Sequence, residues 1–260
     1  MGRRITDAIL VNPLLSRAYG AIQSSSLSRK KIPTFAKEFG VDMTLFEDPG
    51  FRSFNEFFIR KFRPGVRHFE SAQRLMPAPA EARYFAWESH SQRQHFPIKN
   101  LELNPAAILG RPCHEFEGGP VLVARLCPVD YHRFHYPDSG ETVGQWHVKG
   151  VLHSVNPEAL RAKSRIFAIN ERQVSLLKTE AFGLLAYVEV GALCVGRIVQ
   201  SHKGKFFRRG DEKGYFLFGG STVILFGELG RWKPSADLLQ HTARGMETLV
   251  ELGTPVAEAL

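Results

Sequence analysis

From residue 75 onward the chain consists of short apolar runs separated by turn residues, and this pattern restricts the fold more than any other feature. The runs are rich in Val, Ile, Phe and Tyr: PVLVARL (120–126), RIFAIN (165–170), SLLKTE (175–180), GLLAYVEVGALCVGRIVQ (183–200) and STVILF (221–226). Runs of this composition between glycines are typical of antiparallel sheets. We therefore predict a predominantly antiparallel β domain over residues 71–260, folded as a barrel or a sandwich.

The first 70 residues have a different pattern, with apolar residues at helical spacing. This pattern predicts helices over residues 5–23, 33–40 and 53–62, and the third of these begins with a capping box formed by Ser53 and Glu56. The complete prediction is an α+β fold in which N-terminal amphipathic helices precede the β-rich catalytic domain.

Basic residues are concentrated in the helical region. The chain has a formal net charge of +8, and Lys and Arg lie beside apolar and aromatic residues in SLSRKKIPTF (26–35) and IRKFRPGVRHF (59–69). This texture suits an anionic membrane surface, an acidic ligand or nucleic acid, while a solvated basic face is the simpler alternative. No apolar run approaches the ~20 residues of a membrane-spanning helix. We predict that residues 1–70 associate with a membrane surface.

The cysteines and the paired histidines do not form a metal-binding pattern. Cys113, Cys127 and Cys194 have no CxxC spacing, so the sequence predicts neither a disulfide framework nor a zinc site and favours a reducing compartment. His132 and His135 lie three residues apart in the segment CPVDYHRFHYP. A catalytic zinc ion needs three protein ligands, and no third ligand is evident beside this pair. A buried histidine bonded to a carbonyl is the simpler structural alternative.

The segment FGGSTVILF (218–226) places two glycines and two hydroxyl residues against an apolar run. Paired glycines permit unusual backbone angles or the close approach of another group. Ser221 therefore begins a predicted core strand directly after a segment that can bend sharply. A serine in this position is a candidate nucleophile, provided that a neighbouring base removes its proton.

Six segments together resemble the phosphatidylserine decarboxylase family. They are FNEFFIRKFRPGVR (54–67), PAEAR (79–83), DYHRFHYP (130–137), NER (170–172), VEVGALCVGRI (188–198) and FGGSTVILF (218–226). The resemblance extends from NPLLSRAYG (12–20) to ETLVELGTPVA (247–257), which is nearly the whole chain. The G-S-T and D-Y-H-R-x-H blocks are its most specific elements, because the two are hard to obtain together by chance.

Members of that family are proenzymes that cut their own backbone, so the resemblance implies a cut between Gly220 and Ser221. The products would be a large chain, 1–220, and a small chain, 221–260, held together as a heterodimer. The new N-terminus would carry a pyruvoyl group derived from Ser221, the one cofactor expected, which condenses with the substrate amine as a Schiff base. The implied reaction converts phosphatidylserine into phosphatidylethanolamine and CO2.

The resemblance also implies roles for the residues around the cut. His135 matches the family's base for self-cleavage, and His132 matches the proton donor in decarboxylation. The acidic residue that orients the base corresponds to Glu81, but the family pattern Pro-Ala-Asp-Gly is replaced here by Pro-Ala-Glu-Ala. We expect Glu81 to serve, because triads are defined by geometry and role; slow or absent maturation is the alternative. Thr222 either positions the cleavage intermediate or is an ordinary strand residue.

Three alternatives to a membrane-bound lipid decarboxylase stay open. Ser221, His135 and Glu81 could form a serine hydrolase, although the chain lacks the G-x-S-x-G pattern. A family member that no longer cuts itself could serve as a lipid- or protein-binding module, and a pyruvoyl enzyme could act on a free amino acid. The favoured prediction is a peripheral enzyme on the cytoplasmic face of a bacterial-type cell membrane. Its expected partner is phosphatidylserine in an anionic bilayer, not nucleic acid, and homo-oligomers are left open.

Overall fold

The computed structural model describes residues 20–89, 103–155, 165–192, 198–219 and 221–260, and the structural statements below refer to these ranges. The strands are β1 Leu75–Pro77, β2 Ala82–Trp87, β3 Val121–Leu126, β4 Arg133–His135, β5 Gly140–Val148, β6 Arg172–Thr179, β7 Leu184–Gly191, β8 Ile198–Gln200, β9 Phe206–Phe207, β10 Glu212–Phe216, β11 Ser221–Gly227, β12 Trp232–Pro234, β13 Thr248–Val250 and β14 Pro255–Ala259.

The helices are short. The α-helices are α1 Ile32–Glu38, α2 Phe54–Phe58, α3 Pro105–Leu109, α4 Ile166–Ile169 and α5 Ala236–Ala243. Residues 20–24 are also helical, and single 3-10 turns cover Ser26–Lys31, Met43–Leu45 and His114–Phe116. None of the helices in the described ranges is long and apolar enough to span a bilayer.

The strands form three sheets. The largest has the order β13-β2-β3-β11-β7-β6-β5-β9, and the smaller two have the orders β4-β10-β8 and β1-β14-β12. Every pairing between these strands is antiparallel, so the prediction of a largely antiparallel α+β fold is confirmed. The barrel alternative is wrong, because the large sheet is open. Its edge strands β13 and β9 each pair with one neighbour and not with each other.

Strand β11 occupies the centre of the large sheet, between β3 and β7, and all of its residues are buried. A strand covered on both faces needs apolar side chains in succession, which explains the unbroken run in STVILF. The preceding strand, β10, belongs to a different sheet. The chain must therefore pass from one sheet to another between residues 216 and 221, where the two glycines lie.

The predicted N-terminal helices are formed in shortened versions. Helices α1 and α2 coincide with the predictions over 33–40 and 53–62, and Ser53 Oγ accepts the expected capping hydrogen bond from Glu56 N at 3.2 Å. Helix α2 ends at Phe58, earlier than predicted. Most of the first predicted helix, residues 5–19, lies outside the described residues.

One apolar run does not belong to a sheet. RIFAIN (165–170) contributed to the prediction of the β domain, but Ile166–Ile169 form helix α4. The two residues at its start, Ile166 and Phe167, are completely buried. A short apolar run cannot be distinguished from one turn of buried helix by periodicity alone, which is why the sequence pattern failed here.

A cluster of phenylalanine rings joins the N-terminal helices to the β domain. Phe51, Phe54, Phe57 and Phe58 are buried together, and Phe218 packs against them. The centroid of the Phe218 ring lies 5.1 Å from that of Phe54 and 5.0 Å from that of Phe58. Burial of one such ring stabilises a fold by about 1.5–3 kcal/mol. Helix α2 is therefore packed directly on the segment that precedes Ser221.

Candidate active site around Ser221

Ser221 begins strand β11 and is completely buried. Its neighbours across the sheet are Leu126 of β3 and Gly191 of β7. Among the described residues, neither Ser221 Oγ nor Thr222 Oγ1 has a hydrogen-bond partner. An unpartnered buried hydroxyl costs about 1–3 kcal/mol, so its presence indicates a role other than stability. Successive strand residues point to opposite faces, which separates the Thr222 hydroxyl from that of Ser221.

The backbone just before Ser221 is fixed by a bend and a hydrogen bond. Gly219 has φ of 143°, a conformation that favours glycine. The Phe218 N–H donates to Asn55 Oδ1 of helix α2 at 3.0 Å. Gly220, the other residue of the predicted cut, lies outside the described residues. The chain is thus held on the N-terminal side of the predicted cleavage site by a side chain from the N-terminal region.

A buried ion pair indicates which sheet faces the Ser221 hydroxyl. Lys213 Nζ of β10 donates to Glu189 Oε1 of β7 at 2.5 Å and to Gln200 Oε1 at 2.8 Å. Glu189 lies two residues before Gly191, the cross-strand neighbour of Ser221, so Glu189 and Ser221 share one face of the large sheet. That face is therefore the one against which β10 packs, in the sheet that also contains β4.

Burial shifts the ionisation of both members of this pair. It raises the pKa of Glu189 and lowers the pKa of Lys213, and the attraction between the two groups opposes both shifts. Glu189 Oε2 has no hydrogen-bond partner within the described ranges. The sequence analysis assigned no role to either residue, and an acid and a lysine inside apolar strands were the signal that it did not use.

The two histidines lie beside the strand that leads to Ser221. His135 is opposite Glu212 in the pairing of β4 with β10, and the Phe216 N–H donates to the His132 carbonyl at 2.9 Å. Because β10 runs toward Ser221, His132 lies at the end of this pairing nearer the cut, and His135 lies about 10 Å farther along the strand.

His132 is completely buried against Phe58, with 3.8 Å between the ring centroids. Its Nδ1–H donates to the Asp130 carbonyl at 2.9 Å, so the lone pair of the neutral ring lies on Nε2. Nε2 has no hydrogen-bond partner in the part of the chain that the structure describes. Burial lowers the pKa of His132 from 6.5 to about 3; the Arg60 charge adds to this, and the Asp130 carbonyl and the Gly219 backbone oppose it.

His135 has the same arrangement in a different setting. Its Nδ1–H donates to the Gly210 carbonyl at 2.9 Å, and Nε2 is again without a partner among the described residues. The rings of Phe69 and Tyr131 lie 5.3 and 6.1 Å from the imidazole, centroid to centroid. Burial lowers the pKa of His135, and the Gly210 carbonyl opposes that shift. Both imidazoles are therefore neutral at pH 7 and have a free lone pair, as a general base requires.

The carboxylate of Glu81 makes its contacts elsewhere. Arg67 Nε and Nη2 donate to Glu81 Oε2 and Oε1 at 2.6 and 3.0 Å, and the Leu252 N–H donates to Oε2 at 3.3 Å. Among the described residues, His135 Nδ1 is bonded to the Gly210 carbonyl and not to Glu81. The structure thus brings Ser221 and the histidines to one face of the sheet, whereas Glu81 belongs to an ion pair with Arg67.

Helix α2 supplies contacts that the sequence analysis missed, because its segment was assigned to the membrane-associating region. Asn55 holds the Phe218 N–H, and the Phe58 ring stacks on His132. The polar Asn55 in the otherwise apolar start of FNEFFIR was an available signal, since a partly buried amide needs partners.

Arg60 completes this group of contacts from the residue pair after α2. Its guanidinium is buried over the rings of Phe46 and Phe57, at 4.4 and 4.9 Å from the ring centroids. Arg60 Nη2 donates to the Val129 carbonyl at 2.7 Å and, more weakly, to the Asp130 carbonyl at 3.4 Å. Asp130 O is also the acceptor for His132, so Arg60 helps to fix the loop that orients the imidazole.

The described residues hold no group of His, Cys, Asp and Glu side chains that could bind a metal ion. Cys113 and Cys127 are free thiols, and Cys194 lies outside the described residues. What the arrangement offers is a buried serine hydroxyl after a glycine bend, two neutral imidazoles, and a low-dielectric environment in which proton transfers are not shared with bulk water.

Comparisons with known proteins agree with the resemblance read from the sequence. A family model of phosphatidylserine decarboxylase matches residues 54–250. A phosphatidylserine decarboxylase proenzyme of Clostridium perfringens is 38% identical over 261 residues, which cover 98% of this chain and 89% of that protein. Proenzymes of Clostridium botulinum and Ruminiclostridium cellulolyticum are each 36% identical, covering 98% and 100% of this chain and 88% of each relative. The chain belongs to the phosphatidylserine decarboxylase family.

Proposed function

We propose that this chain cuts itself between Gly220 and Ser221 and then decarboxylates phosphatidylserine to phosphatidylethanolamine at the modified Ser221. Membership of the family supports the reaction. The observation that carries the proposal is the buried, unpartnered Ser221 Oγ, which follows the Gly219 bend and faces the sheet that bears both histidines. A hydroxyl that served only to stabilise the strand would have a hydrogen-bond partner.

The cleavage step uses the groups at this junction. Ser221 Oγ attacks the carbonyl carbon of Gly220 while a base takes the hydroxyl proton, and the peptide C–N bond breaks to leave an ester and a free amine. Loss of the Ser221 Cα proton then expels the Gly220 carboxylate and leaves a dehydroalanine. Addition of water and loss of ammonia convert that residue into a pyruvoyl group.

We assign the base in self-cleavage to His135 and the proton transfer in decarboxylation to His132, as the family pattern implies. Each ring has Nδ1–H held by a backbone carbonyl and Nε2 free. The reverse assignment has one observation in its favour, because the Gly219 backbone acts on His132 and not on His135. His135→Ala should stop cleavage while His132→Ala spares it and abolishes decarboxylation; the opposite pair of results would reverse the two roles.

The surroundings of residue 221 fit a pyruvoyl group. Ser221 is completely buried and its Oγ is unpartnered, so an uncharged ketone can replace the hydroxyl without losing a hydrogen bond. Once formed, such a group supplies an electrophilic carbonyl that binds an amine and accepts the electrons released with CO2. His132 Nε2, neutral at pH 7, can take a proton from the substrate ammonium and return one to the substrate carbon after CO2 has left.

The two chains produced by the cut should remain associated. The small chain would supply β11, which lies between β3 and β7 of the large chain, and β14, which pairs with β1. These strands are buried in the shared sheets, so separation would expose the core of the large sheet to water. A heterodimer of residues 1–220 and 221–260 is the expected mature form.

We assign the enzyme to the surface of the bilayer that contains its substrate, on the cytoplasmic face. The N-terminal segment exposes apolar side chains, with Ile22, Leu27 and Phe39 at 56%, 77% and 50% exposure. Basic residues of the same segment, including Arg29 and Lys37, suit an anionic leaflet, where each contributes roughly 1 kcal/mol.

A denaturing gel, an intact-mass measurement and a lipid assay test the proposal together. Purified protein should give two fragments, the smaller with a blocked N-terminus that reacts with hydroxylamine, and should release phosphatidylethanolamine from phosphatidylserine vesicles. The Ser221→Ala variant should remain one chain of 260 residues without activity. A fully active wild-type protein that remained uncut would refute the proposal, whereas an uncut inactive one would favour a binding module.

A further inference from the structure

A cleft of about 430 Å³ lies between the N-terminal helical segment and the residues that precede Ser221. Phe35, Phe54 and Phe218 line it together with the exposed Lys30 and Lys31. We propose that this N-terminal cleft binds one anionic glycerophospholipid, with the phosphate on the lysines and the start of the acyl chains on the phenylalanine rings. The proposal rests on the proposed function and adds to it the site that holds the substrate lipid.

The charge at the cleft is available to a ligand. Lys31 Nζ makes one long hydrogen bond, of 3.4 Å, to Gln23 Oε1. No carboxylate among the described residues forms an ion pair with Lys30 or Lys31, although Glu38 also lines the cleft. Two neighbouring ammonium groups without ion-pair partners suit a phosphodiester, whose oxygens can accept hydrogen bonds from both.

Gln23 gives the second, independent indication of a ligand. It is 1% exposed and lines the cleft, and its Nε2 has no hydrogen-bond partner within the described residues. The side-chain amide is oriented by Lys31 at its oxygen, so the nitrogen is left as a buried donor. A buried donor without a partner is unfavourable unless a ligand supplies an acceptor. The phosphate and ester oxygens of a glycerophospholipid are acceptors of this kind.

The position of the cleft connects the bilayer with the reactive residue. Leu27 and Phe39, on the same segment, are 77% and 50% exposed and can enter the apolar part of a membrane. Phe218, on the inner wall, lies three residues before Ser221, which limits the distance between them to about 10 Å. A lipid held at Lys30 and Lys31 would thus have its head group on the side of Ser221 and its acyl chains toward the bilayer.

The test compares variants of the full chain in a Ser221→Ala background, which stays uncut. Lys30→Ala/Lys31→Ala removes two charges from the cleft, and Arg29→Ala/Lys37→Ala removes two charges from the same segment outside the cleft lining. The second double variant is the matched control for general attraction to an anionic surface. Gln23→Leu removes the unpartnered donor, so its unfolding temperature should hold or rise while its affinity for lipid falls.

Calorimetric titration with dihexanoyl phosphatidylserine below its micellar concentration measures binding of single lipid molecules. We expect the Lys30/Lys31 variant and Gln23→Leu to bind at least about tenfold more weakly, and the Arg29/Lys37 variant to change affinity less than threefold. Equal weakening in both double variants, no measurable binding, or equally tight binding of inorganic phosphate or glycerophosphoserine would overturn the proposal.

Failure of this proposal can be told apart from failure of the proposed function. Binding to the uncut Ser221→Ala chain does not depend on decarboxylation, so the titration is informative even if the protein decarboxylates nothing. Conversely, in the self-cleaved wild-type background, Lys30→Ala/Lys31→Ala should raise KM for phosphatidylserine in mixed micelles and leave kcat and self-cleavage within twofold. An active enzyme whose KM was unchanged by these substitutions would sink the cleft alone.

Discussion

The acid limb of the pH profile of self-cleavage is expected to be displaced well below the ordinary range of histidine. Burial lowers the pKa of His132 from 6.5 to about 3 and also lowers the pKa of His135. A base with an unperturbed pKa would be about 3% neutral at pH 5, and cleavage would slow by roughly 30-fold relative to pH 7. A base with a pKa near 3 would be almost entirely neutral at pH 5, so the rate should change less than twofold.

The assay is a pH jump on freshly synthesised precursor. Cell-free translation in detergent micelles supplies the uncut chain, which is shifted to buffers between pH 4.5 and 8, and the fraction cut is read from denaturing gels over time. First-order rates plotted against pH give the apparent pKa of the group that must be neutral. Because the pKa values of both histidines are lowered by burial, the expectation holds for either assignment of the base.

Loss of the fold at low pH must be separated from protonation of the base. The unfolded chain binds protons to these histidines below pH 6.5, whereas the folded chain does so only near the lowered pKa values. Acid therefore destabilises the fold progressively below pH 6.5, by about 1.4 kcal/mol per pH unit for each group. Near-UV circular dichroism of Ser221→Ala at each pH identifies the range in which the fold persists. Within that range, a cleavage rate that is half-maximal near pH 6.5 would refute the reasoning.

Three further substitutions test individual contacts. Asn55→Leu should slow self-cleavage by about tenfold, because the Phe218 N–H loses its acceptor, while Asn55→Asp keeps an acceptor and should stay within threefold on the same gel assay. Glu81→Gln should also leave cleavage within about threefold, because a backbone carbonyl already orients the implied base; a loss above 100-fold would show that a Glu81 contact with the base forms during the reaction. Lys213→Met should destabilise Ser221→Ala protein by about 3–5 kcal/mol in urea unfolding, and adding Glu189→Leu should restore much of this; equal losses in the single and double variants would contradict a buried ion pair.

The sequence predicted the parts of the fold that depend on local pattern. The run after Ser221 is a buried strand, and Ser53 caps the helix that follows it. The membership of the family was also readable, because it depends on blocks of neighbouring residues such as DYHRFHYP. Local pattern could not distinguish an open sheet from a barrel, since closure depends on whether β9 and β13 meet, and both strands are too short to carry a signal.

The contacts that assemble the candidate site were not predictable for a different reason. Asn55 and Phe218 are 163 positions apart in sequence, and nothing in either neighbourhood specifies the other. The same applies to Lys213, whose partner Glu189 lies on a strand of another sheet. The expected contact of Glu81 with His135 came from the family pattern, and its role stays a prediction, since the side chain is bonded to Arg67 in this structure.

The division of the chain at residue 70 follows a change in sequence texture, but the contacts across it indicate one functional unit. Phe218 is held by Asn55 through its backbone and by Phe54 and Phe58 through its ring, and Phe58 also stacks on His132. A movement of the N-terminal helices at the membrane would therefore act directly on the segment that must bend for cleavage. After the cut, that segment becomes the end of the large chain, and the same contacts would retain it beside the cleft. A single set of aromatic contacts thus links attachment to lipid with the geometry of the reactive residue, which explains why an enzyme acting on a bilayer would place its helices there.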